Sequence, residues 1–212
     1  MTLRELPLET FLDQAASAAP TPGGGAVAAV GGALAASMVA MTARLTEGRR
    51  QYEAVQEQVA ELAAAADAAR QALLDLAEAD ATAYAGVVDA MRLPRGDEAE
   101  RAARTAALQA TLVEATRVPA AIAERCRAVL ALAETAAEIT NRNALGDVAT
   151  GAFLAEAGMR AAAVQAELNL ASIADAAYTA AMAEQLRPAA AGAPERLAAI
   201  LATVRRRAAE RP

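Results

Sequence analysis

Between Pro20 and Leu45 the chain reads Pro-Thr-Pro-Gly-Gly-Gly and then runs without charge from Ala26 to Ala43, and few folds can accommodate such a stretch. Pro20 and Pro22 disfavour helix in the residues before them, while Gly23, Gly24 and Gly25 leave the backbone accessible. The reading is a stiff loop feeding a buried helix. Gly24, Ala28, Gly32, Ala36 and Ala40 recur every four residues, so one ridge of that helix has almost no side-chain height and lets another helix backbone come close. The loop also aims free backbone N–H groups and the positive end of the helix dipole outward, which suits an anionic ligand. The uncharged run is long enough to raise a membrane span. Ala, Gly, Ser and Thr are poor membrane anchors, however, and no Trp or Tyr belt flanks the run, so a buried central helix with no membrane partner is the better account.

Aromatic residues make up 2% of the 212-residue chain although 56% of it is hydrophobic, so burial has to come from close helix packing rather than from large side chains. That pattern predicts an all-α fold, a bundle of long and short helices around the Ala/Gly-rich one. The length suits one large core and no composition break divides it, so residues 1–212 read as a single domain. A formal net charge of −6 without a long basic run argues against nucleic acid as a partner. The lone Cys126 excludes an internal disulfide framework, and the first seven residues lack the basic and apolar regions of a signal peptide, which points to a cytoplasmic location. The chain has no His, and all 20 of its basic residues are Arg. Any general acid or base must then be a carboxylate, a tyrosine, the thiol or water. Imidazole-ligated zinc and a Ser-His-Asp triad are excluded.

The elements follow from periodicity and breakers. A short helix is predicted from Pro7 to Ala19, and Gly48 stops the central helix. A very long helix is predicted from Arg49 to Met91, with a seam running Val55, Val59, Leu62, Ala66, Ala69, Leu73, Leu76, Asp80, Ala83, Val87 and Met91. Leu93 to Asp97 is a turn, with Asp97 an N-cap for a helix to about Val118. Pro119 kinks or restarts that helix, which continues to about Glu138. The polar loop Asn141 to Asp147 follows, with Asp147 a candidate cap. Helices are predicted over Val148 to Leu170 and Ser172 to Leu186, then a breaker from Pro188 to Pro194 and a charged tail helix.

Asp80 is the sharpest single residue. A carboxylate on a buried seam costs several kcal/mol unless paired, hydrogen-bonded or protonated, so it has either an Arg partner or a chemical task. Tyr84 lies one turn along on the same face. Gly23, Gly25 and Ala28 formally fit a dinucleotide fingerprint with Glu47 as the ribose acid, but a helix precedes the glycines and no parallel sheet is available. Simple helix punctuation would also explain the loop, although a triple glycine between prolines exceeds what punctuation needs. Arg49 and Arg50 open the predicted long helix, either as an exposed pair bonded to Glu53 or as a clamp on a substrate carboxylate. Cys126, between Arg125 and Arg127, reads as a packing residue rather than a nucleophile.

Five separated motifs together resemble the cyclodeaminase/cyclohydrolase family, known as the C-terminal domain of formimidoyltransferase-cyclodeaminase and as stand-alone bacterial methenyltetrahydrofolate cyclohydrolases. They are Phe11-Leu12 with Ala19 to Gly25; Gly48-Arg49-Arg50-Gln51-Tyr52; Ala79-Asp80-Ala81-Thr82-Ala83-Tyr84; Ala90 to Pro94; and Asn141-x-Asn143 with Asp147 and Asn169-Leu170. Three positions depart from the family pattern: Gly146 where Ser is usual, Gln165 where Asn is often found, and Ala161 where Gly is frequent. The resemblance implies an all-α homodimer that binds folate in a cleft near the subunit interface. It implies cyclohydrolysis of 5,10-methenyl-tetrahydrofolate, with formimidoyltetrahydrofolate cyclodeamination as the alternative, and a non-catalytic folate-binding or dimeric protein as a further one. The cyclohydrolase is favoured because the chain carries no formimidoyltransferase domain. Asp80 is then expected as acid/base, with Asp147, Asn143 and Tyr84 orienting. Thr21, Pro22, Gly23, Gly24, Gly25, Arg49, Arg50, Asn143 and Asn169 would hold the folate. No metal and no cofactor beyond the tetrahydrofolate substrate are expected.

Overall fold

Ala, Leu, Arg, Glu and Gln are strong helix formers, and they fill the long stretches between the Pro and Gly breakers of this chain. The structure, a computed structural model, describes residues 2–210. Met1, Arg211 and Pro212, which the one-domain expectation included, lie outside the described residues. Within them every regular element is helical: α1 (Leu8–Ala16), α2 (Gly24–Arg44), α3 (Gln56–Arg92), α4 (Glu98–Ile139), α5 (Leu145–Leu170), α6 (Ala176–Ala190) and α7 (Pro194–Ala209), with 3-10 turns at Leu3–Glu5, Arg50–Val55 and Arg142–Ala144.

The helices α2, α3, α4 and α5 form a four-membered bundle in which α2 packs along α3 and α5, and α4 closes the far side against the same two. Helices α6 and α7 lie on α4 and α5. The centre is filled by small residues, including Ala26, Ala29, Ala35, Ala36 and Ala43 of α2, interleaved with a few larger ones such as Leu73, Ile122, Leu130 and Met159. By length and composition α2 could cross a membrane, and 61% of its most apolar stretch is buried in the bundle.

Small residues on two helices let backbones touch. A Cβ at Gly158 would lie 3.1 Å from the Ala28 carbonyl oxygen and one at Gly151 3.2 Å from that of Ala35, so α5 rides directly on α2. On the other side, a Cβ at Gly32 would meet Cys126 Sγ at 2.5 Å and Leu73 Cδ1 at 3.1 Å. Larger side chains at these positions would force the helices apart.

Several boundaries differ from the predicted ones, each for a local reason. Helix α1 stops at Ala16, before the predicted Ala19, where Ser17 turns extended with ψ 176° and its hydroxyl accepts from the Ala19 N–H. Helix α3 begins at Gln56 rather than Arg49. Gly48 takes φ 68° and Tyr52 sits at φ −118°, ψ 19°, outside the helical region. Gln56 organises this turn: its Oε1 accepts from the Gly48 N–H, and its Nε2 donates to the Thr46 and Tyr52 carbonyls. Asp97 caps α4 as predicted, accepting from the Glu100 N–H at 2.8 Å.

Pro119 lies inside α4 without ending it. Its missing N–H leaves the Ala115 carbonyl without a helical donor, and Asn169 Nδ2 on α5 supplies one at 2.6 Å. Pro188 is likewise carried inside α6 rather than breaking it. Asp147 is in the first turn of α5 and does not cap it, since α5 starts two residues earlier. The capping side chain of this loop is Asn141, whose Oδ1 accepts from the Asn143 N–H.

Candidate active site

The N-terminal end of α2 opens into a cavity of about 440 Å³, lined by Pro20, Thr21 and Gly23 to Gly25, by Asp80 and Tyr84 of α3, by the Leu112 to Pro119 segment of α4, and by Gln165 and Asn169 of α5. The loop and Asp80, 54 residues apart, meet through one hydrogen bond: the Ala26 N–H donates to Asp80 Oδ2 at 2.9 Å. Gly25 makes that approach possible, because a Cβ there would lie 2.6 Å from Asp80 Cγ. Among the described residues no arginine forms an ion pair with Asp80. Of the two roles open to a carboxylate on this seam, the arginine partner is absent among the described residues. Burial pushes the Asp80 carboxyl above the ordinary carboxylate range, and the Ala26 hydrogen bond opposes the shift. Such a group can take up and release a proton.

The other walls differ in chemistry. Val87, Met91 and Leu112 form an apolar side, and Tyr84 stands exposed at the edge. Among the described residues the N–H groups of Gly24 and Gly25 have no protein acceptor, as expected for the first turn of a helix. Pro22 is buried behind the loop and does not line the cavity. Asn169 lines it, with one of its two amide N–H donors committed to the Ala115 carbonyl that Pro119 freed.

The remaining predicted residues gather elsewhere. With 21 residues, α2 is about 30 Å long, and at its C-terminal end a second cavity of about 770 Å³ is lined by Gln51, Tyr52, Asn141, Arg142, Asn143 and Ala208 to Glu210. Asn143 belongs there, Arg49 and Arg50 lead directly into it, and Asp147 lies in the adjacent first turn of α5. Within one chain, then, Asp147, Asn143, Arg49 and Arg50 are not brought to Asp80, because the two loops that carry them are at the opposite end of α2. Nor do the arginines open α3, which starts at Gln56. Among the described residues neither is ion-paired with Glu53. Cys126 is fully buried, and burial pushes its thiol up to about 12, consistent with a packing residue.

In the sequence Gln165 stands out only as a departure from a pattern, and Met91, Pro119 and Ser172 read as seam, kink and helix start rather than as site residues, yet all four line the Asp80 cavity. A signal for Gln165 was present: it stands four residues before Asn169, one turn along the same helix face.

The sequence profile described as Formiminotransferase-cyclodeaminase matches residues 7–188. A methenyltetrahydrofolate cyclohydrolase from Methylorubrum extorquens is 39% identical over 171 residues, covering 81% of this chain and 82% of that protein. The formimidoyltransferase-cyclodeaminase of Rattus norvegicus is 32% identical over 82% of this chain, which spans only 32% of that longer protein. Among solved structures, a formiminotetrahydrofolate cyclodeaminase from Thermotoga maritima superposes with a TM-score of 0.78 at 31% identity, covering 97% of this chain and 95% of that one.

Proposed function

Because this chain belongs to the formiminotransferase-cyclodeaminase family, we propose that its Asp80 cavity hydrolyses 5,10-methenyl-tetrahydrofolate to 10-formyl-tetrahydrofolate. The observation that carries the reading is Asp80: a half-buried carboxylate with no cationic partner among the described residues, held by the Ala26 N–H and facing a cavity large enough for a ring system. A methenyltetrahydrofolate cyclohydrolase is 39% identical with 81% of this chain and 82% of that protein covered, which supports this reaction, while the Thermotoga maritima structure fits cyclodeamination as the alternative.

The substrate carries its positive charge over N5, the bridging carbon and N10. A carboxylate beside that bridge favours the cation and is placed to accept a proton. Water adds to the bridging carbon as Asp80 takes its proton, forming a C–O bond and a neutral tetrahedral centre. Asp80 then returns the proton to N5 as the C–N5 bond breaks, the hydroxyl oxygen forms the C=O and releases its proton to solvent water, and the carbon becomes the formyl group on N10. Tyr84, at the edge of the cavity, is in position to orient the substrate. Thr21 and the glycine loop bind an electron-rich part of it through backbone donors.

The chain acts as a homodimer in this reading. Helix α2 presents Val27 and Leu34 outward, with Leu45 just past its end, and α5 presents Phe153, Val164 and Leu168, with Leu34 53% and Leu168 64% exposed. These are exposed apolar side chains on two neighbouring helices, a surface suited to a partner of the same kind. A second copy packed antiparallel across them would bring its own polar end of α2, with Arg49, Arg50, Asn143 and Asp147, toward the Asp80 cavity. The roles inferred for those residues depend on this arrangement.

Purified protein mixed with methenyl-tetrahydrofolate should remove the methenyl absorbance faster than buffer does. No acceleration would remove the cyclohydrolase reading, and ammonia release from formimino-tetrahydrofolate would then test cyclodeamination. Folate binding without either turnover would instead support a non-catalytic folate protein.

A further inference from the structure

We propose that Gln165 is a substrate-orienting residue that hydrogen-bonds the amide edge of the pterin ring, a role that rests on the folate reading above. Two consecutive glycines open α2, and each clears space for one polar side chain from a different helix. At Gly25 the space is taken by Asp80 of α3. At Gly24 it is taken by Gln165 of α5: a Cβ there would lie 2.7 Å from Gln165 Nε2 and 3.1 Å from Cδ. Adjacent Cα atoms are about 3.8 Å apart, so the carboxylate and the carboxamide flank the same turn, and both line the same cavity.

The two groups are satisfied differently. Asp80 accepts from the Ala26 N–H. Among the described residues the Gln165 carboxamide has no protein hydrogen-bond partner, and no side-chain polar atom without a partner is sealed from solvent, so its donor and acceptor remain available to the cavity. Asn169, the other amide on this wall, has one of its two N–H donors committed to Ala115. Gln165 is thus the carboxamide here whose donors and acceptor are all uncommitted among the described residues.

A pterin presents a carbonyl and an N–H side by side, and the carbonyl is next to N5. A carboxamide is the complementary group, since arginine only donates and a carboxylate only accepts. Pairing along that edge sets N5 and the one-carbon bridge at a fixed reach from Gln165 and leaves the bridge to Asp80. Gln165 acts on where the ring sits and takes no part in proton transfer.

Gln165→Leu keeps the bulk and removes both hydrogen bonds. With a net worth near one ordinary hydrogen bond each way, KM for methenyl-tetrahydrofolate should rise about tenfold while kcat stays within about twofold. Binding of 5-formyl-tetrahydrofolate, a stable probe, should weaken by the same factor. Competition by p-aminobenzoylglutamate, which has no pterin, should be unchanged. Gly24→Ala displaces only the flexible end of Gln165 and should give the same pattern, which guards against one variant that folds poorly. The assignment is overturned if folded Gln165→Leu binds 5-formyl-tetrahydrofolate as the parent does, or if the loss extends equally to p-aminobenzoylglutamate. The binding measurement needs no turnover, so a parent protein that binds 5-formyl-tetrahydrofolate through Gln165 yet leaves the methenyl substrate unhydrolysed overturns the cyclohydrolase reading and not the role of Gln165.

Discussion

The two ends of α2 are built from similar polar residues and behave as opposites. At the C-terminal end Thr46, Tyr52, Asn141, Arg142 and Arg207 satisfy one another and the nearby backbone. The Asn141 N–H donates to Thr46 Oγ1 at 2.7 Å, Asn141 Nδ2 to the Leu45 carbonyl, and the Arg142 N–H to the Tyr52 hydroxyl. Buried Arg207 donates from Nη1 to the Ala137 carbonyl and from Nη2 to that of Thr140, and its own carbonyl accepts from Arg142 Nε. At the N-terminal end Asp80 receives one protein hydrogen bond and Gln165 none among the described residues. A closed network ties helices together, whereas groups left open around a cavity are free for a ligand. Family motifs occur at both ends, so the motif pattern does not distinguish the two behaviours; hydrogen-bond accounting does.

The largest expected effect falls at the open end. Asp80→Asn should lower kcat by about 10²- to 10⁴-fold, the range for loss of a general acid/base, as read from the methenyl absorbance. In the parent, turnover should rise with pH as Asp80 ionises, along a limb displaced above ordinary carboxylate titration by burial; the variant should lack that limb. Stability moves the other way. Burial raises the folded-state pKa of Asp80, so the fold favours the protonated form, and this contribution is lost as pH rises from the ordinary carboxylate value through the raised one. The asparagine oxygen can still accept from Ala26, so at neutral pH the variant should unfold at the same or higher urea concentration. A clear fall in stability would mean that Asp80 belongs with the closed network.

Arg207→Leu should show the reverse at the closed end. Two buried carbonyls lose charged donors, which costs about 2–4 kcal/mol by urea unfolding. An unchanged midpoint would break the contrast between the ends.

The smallest effect tests whether the ends meet across two copies. Phe153→Glu places charge on the exposed stripe of α5 and should convert the protein to monomer by light scattering, with turnover reduced about tenfold or more if a second copy completes the cavity. A monomer with full activity would confine the site to one chain.

The sequence revealed Asp80 because a charged residue interrupting an apolar seam violates a local rule that any reader of helix periodicity can apply. Gln165 violated no such rule, being a polar residue on a helix with an exposed face. Pro119 was legible as an irregularity but not in its effect: the carbonyl it frees is filled by Asn169, 50 residues later, a partner that exists only once α4 and α5 pack. The start of α3 was misplaced for a similar reason, since it depends on Gln56 reaching back to Gly48 and Thr46.

Composition and periodicity alone determined that this chain is helical, that its helices could pack closely through Ala and Gly, and that proton transfer without His or Lys would fall to a carboxylate. Tertiary structure decided which carboxylate faces the glycine loop. Helical propensity and the rise of a helix are local properties, repeated every few residues. The pairing of α3 and α5 around the first turn of α2 depends on contacts between segments 54 to more than 100 residues apart. That pairing separates Asp80 from Asp147 by the length of a helix, and it sets Gln165 beside the cavity.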